Sequence, residues 1–348
     1  MKLIAIIIFE ILFQNNLVSQ SLQKYYQHIN NAEISIVNLD FAKASLLYDS
    51  AFKNKLNPFC QDLYNASLVN IYENKYYESM NYIKKMITLG YKPSNYLNNL
   101  KSCRKFMKTK FGDSVNILER KPQFIYNNYY RTKIEELCEY DQEFRNKEGS
   151  YKKYGDTIRI IDKIIVNDFL KLIEKFGYPS EERIGLDSHN IMLPIYAVLI
   201  IHQQNGANFR ITNYADILKA ACINGEIRNT IAGNFIDAAN GFTAYETSGY
   251  VMATYDSIMK TKSKNNQIKD SKIKLSTKLG ILKLSNNEIE KYNSKRKELM
   301  LVPIEEEIKK LKFCLINKEF LLGTTTRKSV YNVTTYEQFL HIKNNLIY

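Results

Sequence analysis

Residues 157–176 read TIRIIDKIIVNDFLKLIEKF, and this stretch indicates the fold class. Its apolar residues lie on one stripe of a helix, at Ile158, Ile161, Ile165, Phe169, Leu172 and Phe176. Gly177 follows where a left-handed residue would end the helix, and Pro179 prevents the helix from continuing. The stretch therefore predicts a long amphipathic helix packed on a core by one face.

More helices are predicted after this one. Segments 213–223 and 231–239 each precede an Asn-Gly pair, which is typical of a helix end. Residues 191–201, IMLPIYAVLII, are apolar on all sides and predict a central buried helix, too short to cross a membrane. Since this region shows no strand-like alternation, it is predicted to be an all-α bundle.

The region 21–111 contains an internal repeat with a spacing of 34 residues, because Asn31-Ala32 recurs as Asn65-Ala66. Two helical stripes with matching steps follow these pairs, Phe41, Ala44, Tyr48 and Ala51, then Tyr76, Ser79, Ile83 and Met86. The pattern resembles a pair of tetratricopeptide repeats, although the usual Trp and Gly of that repeat are missing. Two units are fewer than the three normally needed, so we expect the pair to pack on neighbouring helices. A generic antiparallel helical bundle is the alternative.

The composition and the first residues indicate the class of protein and its cellular location. The chain has 348 residues, 45% of them hydrophobic, and a net charge of +13, which excludes a disordered chain, a fibre and a multispan membrane protein. Residues 1–20 combine Lys2, an apolar run and Ser19 before a cleavage position, which predicts a signal peptide and a periplasmic or extracellular protein. Glu10 inside the apolar run favours the alternative, a buried N-terminal helix.

Two basic segments are candidate binding surfaces. Residues 112–133 are predicted to be a connector, within a stretch where Lys, Arg and Tyr alternate. We expect no nucleic-acid partner, because an exported protein would not meet one, and a solvated face is the simpler explanation. The run Lys260–Lys278 predicts an exposed segment, with contact to a membrane surface as a weaker alternative.

A series of polar and glycine residues runs through 134–306 in a specific order. The members are Asp141-Gln142, Arg145, Asp162, Asn167, Gly177-Tyr178-Pro179, Ile184-Gly185, His202, Gly225-Glu226-Ile227, Asp237, Gly241, Tyr245, Thr247, Arg296, Leu299 and Leu301-Val302-Pro303. This order resembles an uncharacterised bacterial family, domain of unknown function 6624. The family pattern has Trp at Tyr178, Gln at Ile201 and Arg at Ala238. The resemblance implies a fold, since the family has no accepted reaction.

Within this series, His202, Asp237, Arg145 and Asp141 are the candidate catalytic residues, because imidazole and carboxylates transfer protons near neutral pH. Asp162, Tyr245 and Thr247 are candidate binding residues. The simpler alternatives are a surface ion pair between Asp141 and Arg145 and a histidine that caps its helix. No metal site and no cofactor are predicted, since the histidines lack ligand spacing and no nucleotide-binding motif is present.

The sequence therefore predicts an all-α protein with tetratricopeptide-like hairpins followed by a helical bundle domain. Its predicted function is a binding or scaffolding module whose repeat groove receives a protein or peptide partner. A hydrolase-like enzyme around His202 and Asp237 is the alternative, and a purely structural domain is a third. Residues 307–348 contain β-prone stretches that could form a small hairpin.

Overall fold

The computed structural model describes residues 2–205, 211–239, 245, 250–262, 268–277, 280–323, 328–333 and 335–347. Helices make up most of it, which confirms the all-α class. The first half contains α1 (Lys2–Val37), α2 (Phe41–Asn54), α3 (Cys60–Tyr72), α4 (Tyr76–Thr88), α5 (Ser94–Leu97), α6 (Arg104–Met107), α7 (Lys110–Arg120) and α8 (Asn128–Gln142). The second half contains α9 (Ser150–Phe176), α10 (Glu181–Ile184), α11 (Ala197–Asn205), α12 (Ala215–Ile223), α13 (Asn229–Ala239), α14 (Asn286–Arg296), α15 (Ile304–Ile316) and α16 (Tyr336–Asn344).

Two small sheets accompany the helices. Their strands are β1 (Tyr250–Lys262), β2 (Ile268–Ser276), β3 (Ile281–Leu282), β4 (Lys328–Val333) and β5 (Leu346–Ile347). Strand β1 pairs antiparallel with β2 and parallel with β4, and β3 pairs antiparallel with β5. Within the described part of 307–348, β4 thus pairs with β1 and β5 pairs with β3, so the two strands belong to different sheets.

The repeat-like hairpins are present in the first half. Helix α1 packs on α2, α3 packs on α4, and α2 packs on α3. The echoed residues Ala32 and Ala66 are both buried, as expected for close helix packing. The turns are also alike: the N–H of Asp40 donates to the Ser35 carbonyl at 2.9 Å, and that of Lys75 donates to the Asn70 carbonyl at 2.8 Å.

Helix α9 confirms the prediction from its apolar stripe. Ile158, Ile161, Ile165 and Phe169 are buried, and Gly177 after its last residue has a φ of 78°, where a side chain would be strained. The predicted helix over 191–201 is shorter than expected and begins only at Ala197. Pro194 gives the reason, because its ring lacks an N–H and its predecessor is disfavoured in helical geometry.

The N-terminal and basic segments have defined places. The predicted signal peptide forms the first part of the continuous helix α1, and no helix in the described residues is long and apolar enough to span a bilayer. The predicted connector 112–133 includes most of helix α7, whose Val115 is buried, so it is not an unstructured linker. Most of the Lys260–Lys278 run lies in the paired strands β1 and β2, which the sequence analysis did not predict.

Candidate functional site

Four of the predicted site residues meet between three helices of the helical domain that follows the repeats, which is the second domain of the chain. Asp141 lies in the last turn of α8 and Arg145 just beyond it, while Asp162 lies on α9 and His202 on α11. These three helices pack against each other. Residues up to 61 positions apart in the chain are thereby brought into hydrogen-bond distance.

Arg145 is the centre of this polar cluster, which we define as Asp141, Arg145, Asp162 and His202. Its Nη1 lies 2.9 Å from Asp141 Oδ1, and its Nη2 donates to both Asp162 oxygens at 2.7 and 2.8 Å. The side chains of all three residues are at most 7% exposed. Buried charges persist only when they are paired in this way. The pair Asp141–Arg145 is therefore part of a buried cluster and not a surface ion pair.

His202 is the one member of the cluster that reaches solvent, with 29% of its side chain exposed. Its Nδ1 lies 2.6 Å from Asp141 Oδ2, an oxygen that also accepts from the amide of Gln142. A carboxylate accepts hydrogen bonds, so Nδ1 carries the hydrogen and Nε2 is left as the basic nitrogen. No described residue bonds to Nε2.

The polar cluster places a net negative formal charge beside His202. Its two carboxylates and one guanidinium sum to a formal charge of −1. Burial raises the pKa of the Asp162 carboxyl, and its hydrogen bonds with Arg145 oppose that rise and keep the ion pair in place. Asp141, Arg145 and Asp162 are thus too buried to bind a ligand directly, and their geometry orients His202.

Asp237 lies on a different helix, α13. It is fully buried on α13, and its Oδ1 accepts the backbone N–H of Tyr245 at 2.7 Å. Arg296 Nη1 holds the carbonyl of Tyr245 at 3.1 Å, so these residues fix the chain after α13. Among the described residues, no hydrogen bond joins Asp237 to His202. Gly241 and Thr247 lie outside the described residues.

A second buried charge network was not found from the sequence. Arg228 Nη2 lies 3.1 Å from Glu33 Oε1 and 2.9 Å from Asp62 Oδ1, and Lys310 Nζ lies 2.6 Å from Glu33 Oε2. All four side chains are at most 3% exposed. The network joins α1 and α3 of the repeats to α15 and the start of α13. Its sequence signal was the presence of carboxylates inside the apolar helices α1 and α3.

The face of the repeats formed by α1 and α3 is occupied by the chain itself. Helix α15 packs on α1, and the following segment 319–323 lies along α3. Asn65 holds both backbone groups of Leu321, at 2.8 and 2.9 Å, and Tyr64 donates to the carbonyl of Glu319 at 2.6 Å. Phe320 is 2% exposed. The repeat groove, defined here as this face, thus holds a helix and an extended segment of its own chain.

Comparison with known proteins adds no relative: no family model, curated protein or solved structure matches the chain. Among the described residues, no group of three or more His, Cys, Asp or Glu side chains is arranged to hold a metal ion.

Proposed function

We propose that the protein is a hydrolase-like enzyme in which His202 is the general base. The observation that supports this is the 2.6 Å contact of His202 Nδ1 with the buried Asp141, which leaves Nε2 as the proton acceptor at the surface. The repeat groove, by contrast, is already filled by the chain. For that reason the cluster supports a function better than the groove does.

In the proposed reaction, Nε2 takes a proton from a water molecule as that water attacks a carbonyl or phosphoryl group of the substrate. The imidazolium then returns the proton to the leaving group. Asp141 stabilises the imidazolium and fixes its orientation. Arg145 and Asp162 are positioning residues, because they act on the substrate only through Asp141.

The test is turnover of ester, amide and phosphoester substrates by the wild type and by His202→Ala. We expect the variant to lose at least about 100-fold in kcat/KM, the lower range for removal of a general base. His189→Ala is the matched control, because the His189 side chain is 73% exposed and should leave turnover unchanged. Equal turnover in the wild type and His202→Ala, or none in either, contradicts the proposal.

The resemblance to domain of unknown function 6624 enters this proposal. Asp141, Arg145, Asp162 and His202 all belong to the series that carries that resemblance, and they are the residues that meet in space. We propose that the chain is a member of this family and that the polar cluster is its common site. Asp237 belongs to the same series, and its contacts with Tyr245 favour a structural role.

A second candidate is a binding or scaffolding module, favoured by one observation. The repeat groove holds residues 319–323 in part through their backbone, to which Asn65 and Tyr64 hydrogen-bond. Backbone recognition of an extended chain is a general way to bind peptides. The partner would be an extended peptide with the Glu-Phe-Leu-Leu pattern of this segment, and it would have to replace the segment. Competition between such a peptide and residues 319–323 tests this.

We also propose that the protein is exported to the periplasm or the exterior. The support is the sequence of residues 1–20, with its short basic start and its apolar run. Mass spectrometry of the protein recovered from the envelope fraction is expected to show a chain that begins at Gln20 or Ser21. A cytosolic protein that retains Met1 would contradict export.

A further inference from the structure

A cleft of about 540 Å³ opens between the repeats and the second domain. Its walls come from residues 55–59 between α2 and α3, residues 180–183 around α10, and residues 224–226 between α12 and α13. The volume falls in the range of small-molecule sites. Its lining residues include none of the polar cluster, so it is a separate site.

Lys55 places an amino group in this cleft without a carboxylate partner. Its Nζ donates to the carbonyl of Gly225 at 2.9 Å and lies 4.6 Å from the centre of the Phe59 ring. Among the described residues, no carboxylate oxygen is within 4.0 Å of it. Burial lowers the pKa of this amino group, and the carboxylates of Glu181, Glu182, Asp62 and Glu226 oppose that change. An anionic group on a ligand would supply the missing partner.

Glu181 places the opposite charge in the same cleft. One oxygen accepts the N–H of Cys60 at the start of α3, at 2.8 Å. Burial raises the pKa of the carboxyl to about 7; Asp62 adds to the rise, and the Cys60 hydrogen bond, Lys55 and Arg228 oppose it. The acid is therefore poised to ionise near neutral pH when a cation approaches it.

We propose that the cleft binds a small zwitterion, a free amino acid or a short peptide, with its carboxylate on Lys55 and its ammonium group on Glu181. The Lys55 ammonium and the Glu181 carboxylate line one cavity, which Glu182 and the Arg183–Glu226 pair also line. The hydrogen bonds that Lys55 and Glu181 make among the described residues are to backbone, and the two side chains form no ion pair with each other within 4.0 Å. A ligand that carries both charges satisfies the two groups together. Arg183 is engaged by Glu226 at 2.6 Å and stays outside this pairing.

The remaining walls fit the side chain of such a ligand. Phe59, Leu89 and Ile125 give the cleft an apolar side, while Asn127 and Asn224 can hydrogen-bond a peptide group. An inorganic anion would use Lys55 and leave both the apolar wall and Glu181 without a partner. The arrangement therefore favours an amino acid or peptide over phosphate.

The test is calorimetric titration of the full chain with glycyl-L-leucine and L-leucine. N-acetylglycyl-L-leucine lacks the ammonium group and glycyl-L-leucinamide lacks the carboxylate, and we expect each change to weaken binding at least 10-fold. Glu181→Gln should abolish the difference between the dipeptide and its acetylated form. Lys55→Met should abolish the difference between the dipeptide and its amide. The exposed Lys53→Met is the matched control and should leave all affinities unchanged.

The affinity is also expected to depend on pH through Glu181. The ligand needs the ionised carboxylate, so binding should weaken as the pH falls below about 7, roughly tenfold per pH unit well below that value. Glu181→Gln should remove this dependence. Because the ligand analogues act on the wild type, the comparison does not require that either variant folds.

Three results would overturn the proposal. One is no detectable binding of the dipeptide or of leucine at millimolar concentration. Another is equal binding of the two blocked analogues and the dipeptide. The third is inorganic phosphate that binds more tightly than the dipeptide and loses its affinity in Lys55→Met, which would make the cleft an anion site.

Discussion

Arg228→Met is expected to lower the free energy of unfolding by about 3–5 kcal/mol, the usual effect of removing one member of a buried ion network. Arg228 is the partner shared by Glu33 and Asp62. Without it, Glu33 keeps Lys310, but Asp62 keeps only the hydroxyl of Tyr25. The variant must therefore bury a carboxylate without a cation or protonate it.

The loss of stability in Arg228→Met is expected to depend on pH. Burial raises the pKa of Asp62 above its ordinary value, Arg228 opposes the rise, and its removal raises the pKa further. A folded state with a raised carboxyl pKa binds more protons than the unfolded chain, so its stability falls as the pH rises above about 4. The deficit of Arg228→Met should then be larger at pH 7 than at pH 5.

Urea unfolding at both pH values measures the effect. Arg159→Met is the control, because the Arg159–Asp156 pair is exposed, at 43% and 94%, and its loss should change stability by no more than about 0.5 kcal/mol. If Arg228→Met unfolds at the same urea concentration as the wild type at pH 7, the network does not hold the repeats to the second domain.

The sequence predicted those features of the fold that are determined by residues close together in the chain. The stripe of α9 and its end at Gly177 follow from local periodicity and from the one residue type that tolerates that backbone. The predicted start of helix α11 was wrong, because residues 191–196 were included in the helix although Pro194 lies among them. Strands β1 and β2 were missed because a lysine-rich run was interpreted as a solvated segment.

The candidate site likewise contains contacts that the sequence predicted and contacts that it did not. Asp141 and Arg145 are four residues apart and could be paired by helix geometry, and the family resemblance added Asp162 and His202. The sequence also grouped Asp237 with them, whereas in the structure its Oδ1 accepts a backbone N–H eight residues later, a contact that no side-chain pattern shows. Arg228 and Glu33 are 195 residues apart, so their contact depends on the tertiary packing.

Phe320→Ala is the second prediction with a large effect, a loss of about 3–5 kcal/mol in the free energy of unfolding. The Phe320 ring is buried in the repeat groove, with ring centres of Phe41 and Tyr72 at 5.8 and 5.7 Å. Truncation would leave a cavity between rigid helices. Ile316→Ala is the matched control: Ile316 is 90% exposed at the end of α15 and should change stability by no more than about 0.5 kcal/mol.

The same variant decides whether the groove can bind a peptide from outside. In the wild type the segment competes at an effective concentration on the order of millimolar, so an added peptide should have no effect. In Phe320→Ala the segment is weakened, and a blocked peptide of residues 317–323, NKEFLLG, should enter the groove and raise the urea midpoint. The peptide with alanine in place of its phenylalanine should not. The concentration of 1 mM matches the effective concentration of the segment, which is on the order of millimolar. If NKEFLLG at 1 mM leaves the urea midpoint of Phe320→Ala unchanged, the segment is only a part of the core. The groove is then not a binding site for partners.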